Sequence, residues 1–220
     1  MSYTGRSLKK NVMIPLFPIP MVAFPVESIN LHVFESRYKQ LVKDGMENNR
    51  AFGLAPYIDN KVKPIGTVMK IRQIEKEYSD GRLDIITEAQ GLYEMNEYVN
   101  PLPGKMYAGA EVQPHPFDRE GDPHLAKEIR KKMILIFESL QIEKKLPAPE
   151  LLLSFHIAHS IGFTLEQEYE LLSMEKEYDR QIQVLRQIDQ LIPQIKTAAQ
   201  VKQKALLNGE FRSYQSPTNF

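Results

Sequence analysis

His156 and His159 stand three residues apart and would share one face of a helix, a spacing that metal-ligand pairs use. The stretch around them is apolar and no carboxylate lies between them, so packed or surface histidines are the plainer reading and no metal is expected. His115 and His124 flank a proline-rich junction without ligand spacing. Phosphate chemistry would need a loop of the form G-x-x-x-x-G-K-[ST], whose backbone amides cradle phosphate while the lysine neutralises it. The only Gly-Lys pair, Gly104-Lys105, is followed by Met106 and lacks the earlier glycine. There is no cysteine, which excludes disulfides and thiolate chemistry. Without a cluster of acids, histidines or nucleophiles, neither a cofactor nor catalysis is expected.

What remains are residues suited to binding. Met21, Val22, Ala23 and Phe24 lie between Pro20 and Pro25, and a proline-stiffened loop displaying Met and Phe can adapt to varied apolar segments at low entropic cost. Its structural alternative is Phe24 plugging the end of a barrel. In Phe34-Glu35-Ser36-Arg37-Tyr38, Glu35 is expected in the first turn of a helix, where a carboxylate is favourable. Arg37 and Tyr38 then offer a hydrogen-bonding and aromatic handle, unless Arg37 serves barrel carbonyls or a nearby acid. The candidate binding residues are therefore Met21, Phe24, Arg37 and Tyr38.

The elements that must position them fall into two halves. Up to about Phe117 the chain alternates and turns often: Ile29, Leu31 and Val33 point one way, and Asn30 and His32 the other. Tyr38, Leu41 and Val42 share the face of one early helix. Asp80-Gly81, between strands Val68 to Tyr78 and Leu83 to Thr87, predicts a β-hairpin turn at positive φ. A second strand pair is expected through Leu92 to Val99 and Met106 to Val112. Several short strands with one helix favour a small closed or nearly closed barrel, with Pro15, Pro18 and Pro20 at its rim or edge.

From Asp122 onward the periodicity is helical. Asp122 caps, Pro123 fits the first helical position, and Leu125, Ile129, Met133, Ile136, Phe137 and Leu140 form one stripe. A helix from Pro147–Glu150 through Leu151 to Ile161 is apolar on nearly every side and must be surrounded. Gly162 stops it, and Thr164 with Gln167 forms a capping box. The final helix, about Glu177 to Leu207, places Ile182, Leu185, Ile188, Ile192, Ile195 and Ala199 on one face, would run roughly 45 Å, and should kink near Asp189 because of Pro193. Its far end is a candidate arm toward a partner or a missing downstream domain. The expected division is residues 1–117, a barrel; 118–207, a helical bundle; and 208–220, a frayed polar tail.

The run Pro15-Leu16-Phe17-Pro18, then Phe24-Pro25, then Phe34-Glu35-Ser36-Arg37-Tyr38 resembles the start of the Lon protease N-terminal domain. The likeness covers roughly residues 12 to 207, more loosely in the helical half through Glu168 to Leu172 and Glu177 to Leu191. It implies an α+β fold, a PUA-like β-barrel followed by a helical bundle with a long last helix. It also implies a module that handles polypeptide substrate without chemistry, apart from the ATPase and peptidase parts. Where the family usually has an Arg-Phe pair after the hairpin, this chain reads Gly91-Leu92-Tyr93, so any role of that arginine is absent and Leu92 suggests apolar packing.

Lys plus Arg and Asp plus Glu both number 28, so no overall charge draws the chain to nucleic acid or an anionic membrane. The expected partners are unfolded or exposed apolar polypeptide and a separate protease or chaperone that the chain serves as adaptor. PUA-like barrels also occur in RNA-binding proteins, which makes RNA the rival partner, although no Lys/Arg stripe among aromatics supports it. Locally, His124 to Lys145 carries six bases against three acids and Thr164 to Arg180 six acids against two bases. These are two solvated faces attracting each other, or a basic helix open to an acidic partner. Pro15, Pro18 and Pro20 interrupt the N-terminal apolar stretch and spoil a signal peptide, so a soluble cytoplasmic protein is expected.

Overall fold

A computed structural model of the protein describes residues 12–143, 145–146 and 152–213, the side chains among them as far as Thr197. The strands are β1 (Val12–Ile19), β2 (Ser28–Val33), β3 (Phe52–Ile58), β4 (Lys61–Val62), β5 (Ile65–Glu77), β6 (Leu83–Val99) and β7 (Gly109–His115). Helix α1 (Ser36–Glu47) lies between β2 and β3 in sequence. After the last strand come α2 (Pro123–Leu140), α3 (Leu153–Ile157) with a 3-10 turn (Ala158–Ser160), α4 (Leu165–Ser173) and α5 (Glu177–Ser213).

The sheet closes on itself. Its order runs β1-β7-β6-β5-β3, and a parallel pairing of β1 with β3 completes the ring. β6 is the organising strand: residues 83–88 pair with β2 on one side while its later half pairs with β7. Three register shifts along the β5–β6 ladder bend that pair around the barrel. The expected Asp80-Gly81 turn joins them, with Gly81 at φ +78° and Tyr78 N–H donating to the Arg82 carbonyl at 2.9 Å. The second hairpin also forms, but its return strand starts only at Gly109, after a longer loop than expected.

Pro15 and Pro18 are not on an edge strand. β1 pairs with β7 over Val12–Pro15 and with β3 over Leu16–Ile19. Each half needs ladder amides on one side only, which leaves positions where a proline removes no bond. Inside the barrel, fully buried Tyr93 lies over two glycines: a Cβ on Gly53 would meet its ring at 2.8 Å and one on Gly66 at 2.6 Å. Ordinary residues at either position would push the ring out of the core.

The helical half obeys its local signals. Asp122 accepts from the amides of His124 and Leu125, with Pro123 in the first turn, and Ile129, Met133, Ile136 and Phe137 are buried, while Leu140 is exposed. Thr164 and Gln167 form the reciprocal capping box, and Gly162 sits at φ +74°. The helix expected through Ile161 is a short α3 ending in a 3-10 turn, and its start at Pro147–Glu150 and Leu151 lies outside the described residues. The α5 ladder continues past Pro193 to Ser213, about 55 Å at 1.5 Å per residue, and so enters the stretch from Asn208 expected to fray.

Of its expected face, Ile188 is buried and Leu185, Ile192 and Ile195 pack against the core, but the first turns bury polar residues as well. Arg180, Gln181, Val184 and Ile188 point inward while Ile182 and Leu185 are half-buried, because hydrogen bonds draw the polar pair in. The Gln181 side chain accepts from the Asp122 amide at 2.8 Å. Arg180 donates to the Glu177 carboxylate at 2.8 Å, to the Glu175 carbonyl at 3.0 Å and to the carbonyls of Met174 and Asp118. Its guanidinium also lies 4.4 Å from the centre of the Phe155 ring.

Barrel and bundle share a core. Val22, Phe24 and Leu92 from the strand-rich half belong to the same buried cluster as Ile129, Met133, Phe155 and Leu172. The expectation for Leu92 is met. At the rim of this junction His159 bridges Glu168 at 2.6 Å and Glu27 at 3.1 Å, which ties the β1–β2 connection to the helices.

Candidate functional site

Arg37 and Tyr38 open α1, and their surroundings make the best candidate site. The residue before them, Glu35, is the N-cap rather than a first-turn residue, and its carboxylate goes to Arg37 instead of the helix amides. Arg37 Nε donates to it at 2.9 Å. Tyr38 is buried, its ring stacked on Phe17 at 3.9 Å between centroids and its hydroxyl donating to the Pro18 carbonyl at 3.3 Å. With Phe17 on one face of the ring, the Arg37 guanidinium takes the other, 4.5 Å from the centroid. The stack is worth about 1 kcal/mol beyond simple burial and holds Arg37 in one place.

Around that pair lies an open cleft of about 680 Å³. Pro18 of β1, Tyr57 of β3, Lys61 and Val62 of β4, and Met95 and Tyr98 of β6 complete its walls. Tyr57 and Tyr98 are 39% and 41% exposed, so each keeps a large apolar face in water beside a hydroxyl. Burial raises the pKa of Tyr38 and of Tyr98 above the ordinary phenol value, with Arg37 opposing the rise in both, so both stay neutral donors near pH 7. The lining holds no carboxylate, histidine, serine or cysteine. Such walls can bury an apolar side chain and hydrogen-bond a backbone.

The other two expected binding residues do not join this cleft. Phe24 is 0% exposed, as are Val22 and Ala23, so of this loop only Met21 keeps any side-chain surface in water. The Phe24 ring packs on Phe155 at 5.1 Å and beside His159 at 4.9 Å, a plug between barrel and bundle. The physical reason is the helical half: once α3 stands beside the barrel, Phe24 gains more by burial than by exposure. Met21 is half-buried against the cluster around Phe17 and Leu31. Tyr57 and Tyr98 carry only a faint signal in the sequence, as large side chains on the solvent side of strands, and Met95, partly buried against the cluster around Tyr93, carries none.

Among the described residues, no group of three or more His, Cys, Asp or Glu side chains is placed to hold a metal ion. His159 is held by its two carboxylates, which raise its pKa to about 9, chiefly through the hydrogen bond to Glu27. No helix among the described residues is long and apolar enough to cross a membrane.

A closed barrel braced by helices, with an open aromatic cleft beside its first helix, defines an α+β binding scaffold. Residues 13–190 match the family model of the ATP-dependent protease La (LON) substrate-binding domain, and the chain belongs to that family. Two solved structures share its fold. The crystal structure of a Lon N-terminal domain protein from Xanthomonas campestris is 23% identical with a TM-score of 0.62, over 80% of this chain and 98% of that one. The N-terminal domain of a Mycobacterium avium complex Lon protease is 13% identical with a TM-score of 0.65, over 81% of this chain and 98% of that one. Comparison with curated proteins finds none that matches.

Proposed function

We propose that this substrate-binding module takes unfolded or exposed apolar polypeptide segments into the cleft between α1 and the barrel, without catalysing a reaction on them. The observation that carries this reading is the composition of the cleft: Tyr57, Tyr98, Met95 and Pro18 supply apolar area, and Arg37, held over the buried Tyr38 ring, supplies a fixed donor. Tyrosine, methionine and arginine are the residue types that protein interfaces favour. A client side chain would lie against Tyr57 and Tyr98 while its backbone carbonyls accept from Arg37 or Asn100. The helical half supports the barrel through the Phe24 plug. The module works in the cytoplasm as an adaptor that passes its client to a separate protease or chaperone.

The test is fluorescence anisotropy with a labelled, permanently unfolded polypeptide at low and high salt, with single-stranded RNA as the parallel probe. Salt-tolerant polypeptide binding that weakens at least tenfold in Tyr98→Ala supports the reading. Binding to RNA alone, falling steeply with salt as released counterions require, overturns it.

A further inference from the structure

The last helix runs past the family match, which ends at residue 190, and its continuation builds a second concave surface. Ile192 and Ile195 of α5 and Leu135 and Ile136 of α2 line a groove of about 580 Å³. Beside it α2 is unusually greasy for a surface helix. Ile134, Leu135, Leu140 and Ile142 are each about half exposed, at 49%, 50%, 47% and 45%. Leu135 lines the groove itself, while Ile134 and, just past the end of α2, Ile142 line a separate depression with Phe137, so exposed apolar surface at this end of the helix is not confined to the groove.

The rim of the groove is basic, with Lys131, Lys132 and Lys196 against the single acid Glu128. Lys132 is already satisfied by Asp189 at 2.6 Å and Glu128 at 3.0 Å. Lys131 and Lys196 form no ion pair among the described residues. We propose that this groove docks an amphipathic helix of a partner protein whose apolar face is flanked by acidic residues. Two helices side by side present the valley into which a third helix packs, and the apolar floor supplies the affinity. Lys131 and Lys196 select the sign of the partner's flanks. A second copy of this chain fits less well, because a two-fold contact would set the same basic rims against each other.

Two designed helical peptides with the same apolar face, one flanked by glutamates and one by lysines, test this by anisotropy against the full chain. The glutamate-flanked peptide is expected to bind at least tenfold tighter, and Leu135→Glu to lose at least tenfold of that affinity. The double variant Lys131→Glu with Lys196→Glu, at two exposed positions that leave the fold intact, is expected to reverse the preference. Equal affinity for both peptides, binding of neither, or an unchanged preference in the double variant overturns the proposal. So does a concentration-dependent dimer in sedimentation that Leu135→Glu abolishes, since a second copy would then be the occupant.

Discussion

Arg37 and Arg180 are both arginines laid over an aromatic ring, yet one faces water and the other none. Arg180 is wholly buried over Phe155, with its donors taken by the Glu177 carboxylate, Ser154 and three backbone carbonyls, those of the adjacent Met174 and Glu175 and that of the distant Asp118. Arg37 lies over Tyr38 with one acid partner, half in solvent at the edge of an open cleft. A saturated buried cation joins elements, because each bond it makes would be an unpaired buried group without it. An arginine fixed in place but left with spare donors is poised for something outside the chain.

Four experiments can break or sharpen that contrast. The largest effect belongs to Arg180→Ala, which strands the Glu177 carboxylate inside the protein and should cost about 3–5 kcal/mol in urea unfolding. Restoring most of that stability by adding Glu177→Gln would confirm that the loss is the orphaned charge. Phe24→Ala should cost about 3–4 kcal/mol by leaving a cavity between barrel and bundle, with polypeptide affinity per folded molecule unchanged. Lost affinity at full folding would instead return Phe24 to the binding surface. Tyr57→Ala should reverse the pattern: roughly 0.5 kcal/mol or less in stability, but about tenfold, or about 1.4 kcal/mol, in anisotropy titrations of unfolded polypeptide.

The smallest effect concerns the His159 clasp. Its pKa is raised to about 9 from an ordinary value near 6.5, chiefly by Glu27. The folded form therefore holds its proton more tightly than the unfolded form. The stability this supplies is complete below about pH 6.5 and is lost as pH rises through 9. Since the imidazole is 41% exposed, screening leaves about 1 kcal/mol of it. Thermal unfolding of the wild type and His159→Gln should differ most near pH 6 and converge near pH 10. A constant gap would show that the two glutamates do not act on a charged imidazole.

The same distinction explains what was legible in the residues. Asp80-Gly81, Asp122-Pro123, Gly162 and the Thr164–Gln167 box each act within a few residues, and each stands where its chemistry predicts. The cleft depends instead on strand neighbours far apart in the chain. Tyr57 and Tyr98 share one wall only because β1 bridges β3 and β7 and so closes the ring. The one part of the cleft visible beforehand, Arg37-Tyr38, is the part carried on consecutive residues.

Taken alone, the sequence determined the two-part α+β organisation, the helix caps, the hairpin and the family resemblance, because periodicity and capping are short-range properties of the backbone. Tertiary structure decided which apolar side chains are core and which are surface. Phe24 and Tyr98 are both large rings beside turns, and nothing local separates them. Helix α3 covers the first, while water still reaches the second, and burial depends on what the rest of the chain brings alongside.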